Sequence, residues 1–246
     1  MRLEGKTALI TGGASGFGYG IASKFMDEGA RVLIADINGE AVEKAASELG
    51  CFHVRGDVAD VQGVADIAVS AAAQLGNLDI LVNNAGVTHM PAPLENISED
   101  EFDRVMRVNV KSVYLMSRRF VPGMKSRGSG TILNIASTAG ISPRPNLSWY
   151  NASKGWMVIA TKTMAVELAP YNVRVNALCP VAGETPLLAS FLGGDTPENR
   201  EKFLSKIPLG RFSTPQDLGN AAAWICSNEA DMLTGVAMEI DGGRCV

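Results

Sequence analysis

The chain is poor in the residues that hold metals and crosslinks: two histidines and four cysteines in 246 residues. Cys51, Cys179, Cys226 and Cys245 lie far apart, form no C-x-x-C pair and have no histidine close by. That spacing excludes a disulfide framework and a zinc site of ordinary pattern, and it fits free thiols in a reducing, cytoplasmic setting. No apolar run approaches the roughly 18 residues of a membrane span. The first residues, MRLEGK, lead straight into an apolar strand-like run without the basic-apolar-small order of a secretory signal. An excess of positive charge is also missing: 22 Lys and Arg against 26 Asp and Glu leave a net charge of −4. Such a surface repels polyphosphate, so nucleic acid is not an expected partner. With charged residues at 20% and hydrophobic ones at 46%, disorder is excluded and a sizeable core is available.

What is present is a rhythm of short apolar runs: Thr7–Thr11, Val32–Asp36, Phe52–Arg55, Ile80–Asn83, Thr131–Ala136, Arg174–Leu178 and Ala237–Ile240. Several lack in/out alternation, as strands covered on both faces do. The segments between them are long enough for crossover helices. The expected fold is α/β: a single-domain Rossmann-type doubly wound parallel sheet of about seven strands with helices on both faces. Ser98-Glu-Asp-Glu101 reads as a capping box before a long helix, and Thr196-Pro197 and Thr214-Pro215 each place a hydroxyl cap before a first-turn proline. With no repeat or linker, residues 1–246 form one domain, with Glu184–Leu209 as a substrate-lid excursion around Gly193-Gly194-Asp195.

After the first strand the sequence reads TGGASGFG, Thr11 to Gly18, and then enters a helix. A Cβ in such a turn blocks backbone approach to a pyrophosphate, while the helix N-terminus offers free N–H groups to its charge. An ordinary tight turn also uses glycine, so the context matters: the second strand ends in Asp36, whose carboxylate can accept hydrogen bonds from an adenosine ribose. It would repel a 2′-phosphate, and no basic residue stands in the turn or directly after Asp36. NAD is therefore expected rather than NADP. The spacing of Gly12, Gly16 and Gly18 resembles the T-G-x-x-x-G-x-G of the short-chain dehydrogenase/reductase family, in its compact single-domain branch. Asp57-Val58 resembles that family's adenine-contacting pair, Asn83-Asn84-Ala85-Gly86 its N-N-A-G turn, and Ile240-Asp241-Gly242-Gly243 its ending. The resemblance spans nearly the whole chain and includes 3-oxoacyl-carrier-protein reductase-like and secondary-alcohol dehydrogenase-like members. It implies cofactor contacts from Gly12, Ser15, Gly16, Phe17, Gly18, Asp36, Ile37, Asp57, Val58, Asn84, Ala85 and Gly86.

Tyr150 and Lys154 fall four apart in a helix-like run and share a face. An isolated pair of this kind is usually a packing contact; here Ser137 closes the fifth strand, at the sheet end that faces the ligand crevice. Reduction of a ketone needs a proton on oxygen as hydride reaches carbon, and oxidation needs the reverse. Free tyrosine has a pKa of about 10, and lowering that value by two or three through a nearby ammonium is worth roughly 3–4 kcal/mol. On this reading Tyr150 is the acid/base, Lys154 acidifies it and binds the nicotinamide ribose, and Ser137 orients the substrate oxygen. Asn109 lies on an apolar helix face, where an amide needs partners. A core Asn bonded to backbone would satisfy that; the family resemblance instead makes it the fourth member of a catalytic tetrad, holding a water that leads from Lys154 to solvent.

Beyond the sixth strand the chain departs from the family's usual Pro-Gly: Pro180-Val181-Ala182-Gly183-Glu184-Thr185 carries a valine for the glycine and brings in an acid. Pro180, Ala182 and Thr185 are still expected at the nicotinamide. Substrate walls are expected from Thr88–Pro93, Gly140–Trp149 and the lid. His89 and Arg144 there could read an anionic or hydroxylated substrate, although a solvated loop position is the favoured reading of each. Leu187, Leu188, Phe191 and Leu192 suggest an apolar lid helix, and His53 a structural role. The resulting expectation is NAD(H)-dependent interconversion of a secondary alcohol and a ketone. The rivals are an NADPH-dependent 3-oxoacyl-carrier reductase and a non-catalytic dinucleotide sensor. The resemblance also implies a homotetramer built on helices Ser98–Phe120 and Trp149–Ala169 and the last strand.

Overall fold

The computed structural model describes residues 1–246. Seven strands run in parallel: β1 (Thr7–Thr11), β2 (Arg31–Asp36), β3 (Phe52–Arg55), β4 (Ile80–Asn83), β5 (Gly130–Ile135), β6 (Val173–Pro180) and β7 (Ala237–Ile240). Their order in the sheet is β3-β2-β1-β4-β5-β6-β7. Nine α-helices accompany them: α1 (Gly16–Asp27), α2 (Gly39–Leu49), α3 (Val61–Leu75), α4 (Glu99–Met106), α5 (Ser112–Arg127), α6 (Ser148–Leu168), α7 (Leu188–Leu192), α8 (Pro197–Leu204) and α9 (Pro215–Cys226). This is the single-domain α/β doubly wound fold expected from the strand rhythm.

The two-sided burial explains why the strands read as uninterrupted apolar runs. In β1, Ala8 and Ile10 pack with Ile21 and Phe25 of α1, Val42 of α2 and Leu218 of α9. Leu9, between them, packs on the opposite face with Ile67 of α3, Met116 of α5 and Leu168 of α6. Period-two alternation is present, but both faces are core. A fully buried side chain such as Phe25 contributes about 2–3 kcal/mol through this burial.

Element edges differ from the sequence expectation where tertiary bonds intervene. Strand β6 continues past Leu178 because Cys179 and Pro180 pair with Glu239 and Ile240 of β7. The helix expected over Ser98–Phe120 is three pieces. A π-helical segment, Arg107–Lys111, separates α4 from α5, and Gly128, left-handed at φ 63°, ends α5 only after Arg127, past an internal Pro122. The Ser98 box is one-sided: Ser98 accepts from the Glu101 N–H, but the Glu101 carboxylate is held by Arg104. Thr214 and Asp217 form a complete reciprocal box, and Thr196 accepts from Asn199 N–H. No helix is long and apolar enough to cross a membrane.

Helices α1 and α9 touch through glycine. A Cβ on Gly20 would stand 2.3 Å from the Pro215 carbonyl oxygen, and one on Gly219 would stand 2.6 Å from that of Gly20. Backbone leaves no room to yield, so Gly20→Ala should separate the helices and cost about 1–3 kcal/mol. The check is a lower urea midpoint at fixed protein concentration; an unchanged midpoint would show that the crossing is not rigid.

Candidate active site

The chain crosses from one side of the sheet to the other between β1 and β4, and the crevice left at the strand ends opens into a cavity of about 580 Å³. One end is lined by Gly12, Ser15, Gly16 and Phe17 of the glycine turn, Asp36 and Ile37 after β2, Asp57 and Val58 after β3, and Asn84, Ala85 and Gly86 after β4. Gly12 and Gly16 take φ of 62° and 55°, a region where a side chain would be strained. Ser15 begins α1 without using its hydroxyl as a cap, so both hydroxyl and helix N-terminus remain available to an anion. Gly18 differs from expectation. It does not line the cavity; a Cβ there would lie 2.2 Å from the Gly12 carbonyl oxygen, so its glycine serves the fold of the turn.

Asp36 is fixed by its own turn. Its carboxylate accepts from the N–H groups of Ala14 and Asn38, at 3.3 and 3.1 Å. Asp57 accepts from Ala59 N–H at 2.8 Å. A turn kept open by Gly12 and Gly16, a helix N-terminus and a strand-end carboxylate in one cavity fit a dinucleotide. One neighbour of Asp36 lies outside the local motif. Arg55 is its register partner on β3, and the Arg55 stem lies against Gly39, 3.1 Å from where a Cβ would be.

The other end of the cavity brings together Ser137, Tyr150 and Lys154. Ser137 lies two residues past the end of β5, its hydroxyl accepting from Ala139 N–H at 3.1 Å. Helix α6 presents Tyr150 and Lys154 from successive turns, and both are buried. The Lys154 ammonium does not sit on the phenol oxygen, contrary to the simple acidification argument. Its Nζ donates to the Ile135 carbonyl at 2.7 Å and lies 6.0 Å from the Tyr150 ring centroid. Burial consequently dominates both groups. It pushes the Tyr150 phenol above its ordinary value, opposed by the Ser137 hydroxyl and the Arg144 charge, and it lowers Lys154 to about 8.

Asn109 lies in the π-helical segment, fully buried and outside the cavity lining. Its amide is satisfied by Val87 on both sides: Oδ1 accepts from the Val87 N–H at 2.8 Å, and Nδ2 donates to the Val87 carbonyl at 2.9 Å. Nδ2 also donates to Ser153 Oγ at 3.0 Å. The backbone-bonded core amide is thus the observed state. It remains adjacent to Lys154, since a Cβ on Gly86 would meet Asn109 Oδ1 and Lys154 Nζ at 3.4 Å each.

Pro180, Ala182 and Thr185 line the cavity, and Thr185 closes over Gly16, 3.1 Å from a Cβ built there. Val181, in the place of the expected glycine, is buried with Leu188, Ile207 and Phe212. Glu184 turns away and binds Arg200 at 2.9 Å. The wall expected from Thr88–Pro93 is absent from the lining. His89 is buried rather than solvated, its Nδ1 on the Met90 carbonyl at 2.8 Å and its Nε2 without a partner. Arg144, Leu147, Leu187, Phe191, Phe203 and Arg244 form the actual wall. Phe191 stands edge-on to Tyr150, centroids 5.0 Å apart. Sequence reasoning missed Ile135, Ser153 and Arg244; only Ser153, inside the Tyr150–Lys154 run, carried a local signal.

Comparison with known proteins gives the class. Residues 12–244 match the family model described as enoyl-(acyl carrier protein) reductase. The chain is 48% identical to 4-formylbenzenesulfonate dehydrogenase of Comamonas testosteroni, over 99% of each chain. It is 38% identical to a 3-oxoacyl-[acyl-carrier-protein] reductase of Thermotoga maritima, over the full length of both. Among solved structures, a 3-ketoacyl-(acyl-carrier-protein) reductase from Brucella melitensis complexed with NADH superposes with TM-score 0.95 at 48% identity, covering 99% of this chain and 100% of that one. The chain belongs to the short-chain dehydrogenase/reductase family, as the glycine turn and the Tyr-x-x-x-Lys run suggested. It is a dinucleotide-binding oxidoreductase acting on CH–OH groups.

The burial of Tyr150 has a measurable consequence. In a tyrosinate absorbance titration of the free protein, the difference between wild type and Tyr150→Phe should show no phenol ionising below about pH 10. A Tyr150-dependent signal near neutral pH would show that local charge outweighs burial.

Proposed function

We propose that this chain interconverts a secondary alcohol and a ketone with NAD(H), using Tyr150 as general acid/base. The observation that carries the reading is the single cavity joining Asp36 at one end to Ser137, Tyr150 and Lys154 at the other. When bound, the dinucleotide supplies or accepts the hydride. Gly12, Ser15, Gly16 and Phe17 would hold its pyrophosphate, Asp36 and Ile37 its adenosine ribose, Asp57 and Val58 its adenine, and Asn84–Gly86, Pro180, Ala182 and Thr185 its nicotinamide half. In reduction, the Tyr150 hydroxyl delivers its proton to the substrate oxygen as negative charge develops there, and in oxidation it takes that proton back. Ser137 donates to the same oxygen and fixes it. Lys154, at about 8, exchanges protons near working pH and resupplies the phenol, with Ile135 setting the direction of its ammonium. Asn109, through Val87 and Ser153, would hold the water path beside Lys154.

Arg55 beside Asp36 favours a second reading with NADPH as reductant of a 3-oxoacyl carrier substrate, because it offers a cation to a 2′-phosphate. Asp36 lines the cavity whereas Arg55 does not, which supports NAD. The family's tetrameric assembly is also our reading. Tyr114 of α5 and Ile159 and Val166 of α6 leave large apolar side chains exposed. A stable monomer in sedimentation equilibrium would reject it.

Two experiments test the chemistry. Tyr150→Phe should lower kcat by about 10²–10⁴ while NADH binding, followed by nucleotide fluorescence, persists; undiminished turnover would remove the phenol from the mechanism and revive a binding-only role. Wild-type kcat/KM should favour NADH over NADPH, and Asp36→Ala should shrink that ratio by at least about tenfold. Equal use of both cofactors by wild type would pass the assignment to Arg55.

A further inference from the structure

Four arginines face the cavity, and two of them are already engaged elsewhere or open to water. Arg104 binds Glu101 at 3.0 Å and the Thr88 carbonyl at 2.8 Å. Arg107 is exposed. Arg144 and Arg244 are different. Both are half-buried, and no carboxylate oxygen lies within 4.0 Å of either. Each is steadied by neutral groups instead. Arg144 donates to the Phe191 carbonyl and lies over the Phe203 ring, 5.1 Å from its centroid. Arg244 donates to the Ser142 carbonyl at 3.3 Å and contacts Cys245 Sγ at 3.7 Å.

Such a pair is costly if left as it stands. A guanidinium carries five N–H donors and cannot shed its charge at working pH. Burial disfavours the Arg144 cation, and the like charge of Arg244 adds to the penalty. Elsewhere in this chain Arg2, Arg200 and Arg211 are matched to carboxylates on the surface. Two adjoining cations without an anion, in a partly dry wall, are complementary to a charge that arrives from outside.

Position separates that charge from the pyrophosphate and adenosine end of the dinucleotide. Arg144 follows β5 and Arg244 follows β7, whereas the glycine turn and Asp36 follow β1 and β2 at the opposite half of the sheet. Arg144 is close enough to Tyr150 for its charge to act on the phenol. The same wall carries apolar groups, Leu187 with Phe191 against Tyr150 and Phe203 under Arg144.

We propose that Arg144 and Arg244 form an anion-binding subsite, and that the substrate is an alcohol or ketone whose apolar body carries a carboxylate or sulfonate. This rests on the reading of Tyr150 as the acid/base, which places the reacting carbon. The planar guanidinium fork suits either anion, and the aromatic wall suits a short aryl or alkyl spacer.

The test compares 4-acetylbenzoate and 4-acetylbenzenesulfonate with neutral 4′-methylacetophenone, using NADH. Wild type should prefer the anionic ketones by about ten- to a hundredfold in kcat/KM, mainly through KM. Arg144→Gln and Arg244→Gln should each erase most of that preference, while Arg244→Lys should keep part of it. A neutral ketone used as well as the anionic ones, or variants that keep the wild-type ratio, would overturn the subsite. If Arg144→Gln does not fold, as judged by circular dichroism, Arg244→Gln and Arg244→Lys decide the same question. Calorimetric binding of 4-acetylbenzoate in the presence of NADH separates the two readings. Binding that is lost in Arg244→Gln, with no turnover by wild type, supports the subsite and sinks the alcohol–ketone chemistry. Turnover of all three ketones without preference sinks the subsite alone.

Discussion

Between β1 and β4 the sheet's connections leave in opposite directions, and the strand ends there would splay unless something tied them. Thr11 and Asn84 do so. The Thr11 hydroxyl accepts from the N–H groups of Asn84 and Ala85, while the Asn84 side chain donates to the carbonyls of Thr11 and Gly12. The next residue back, Asn83, donates to Asn134 on β5, and Asn134 donates to Thr161 on α6. Buried amides of this kind are costly when one member is removed, roughly 1–3 kcal/mol per orphaned group. The glycine turn and the helix that carries Tyr150 and Lys154 are thereby held in one frame, although 138 positions separate Gly12 from Tyr150. Rigid placement of that order is what hydride and proton transfer to the same carbonyl require.

Within the frame, burial rather than charge pairing sets the state of Tyr150 and Lys154. Tyr150 and Lys154 are both withdrawn from water, and each is driven toward its neutral form. The Ile135 carbonyl claims one N–H of Lys154, and Gly86 lies between the ammonium and Asn109. The missing side chain of Gly86 keeps the space between these polar groups open. The π-helical segment serves the same end from the other side, since widening the helix at Arg107–Lys111 lets Asn109 turn inward to Val87.

Much of this was legible in the sequence, for a physical reason: the features were local. A strand covered on both faces leaves an apolar run, a dinucleotide turn leaves glycines, and a helix that presents two groups to one cavity spaces them by four. What stayed hidden depends on contacts between distant segments. Arg55 meets Asp36 only through the β2–β3 register, and Arg244 reaches the Ser142 loop only after the whole sheet has formed. His89 has the surroundings of a loop in sequence yet is buried. The same limit misjudged the Tyr150–Lys154 pair: spacing showed that they share a face, but not that Ile135 would take the ammonium.

The departure from the family's Pro-Gly turn ties these threads to the lid. Val181 gives α7 a buried anchor with Leu188, Ile207 and Phe212, and Glu184 and Asp195 both grip Arg200 at the start of α8. The ion pairs are exposed and weak one by one, so the apolar anchor does most of the holding. Its effect reaches Tyr150 through Phe191, which packs edge-on against the Tyr150 ring and whose carbonyl takes Arg144. Lifting α7 would re-wet the phenol and lower its pKa toward the ordinary value, while releasing Arg144 from the Phe191 carbonyl. The burial of Tyr150 and the placement of Arg144 therefore lean on one helix, and a glycine at position 181 would weaken both by loosening the same anchor.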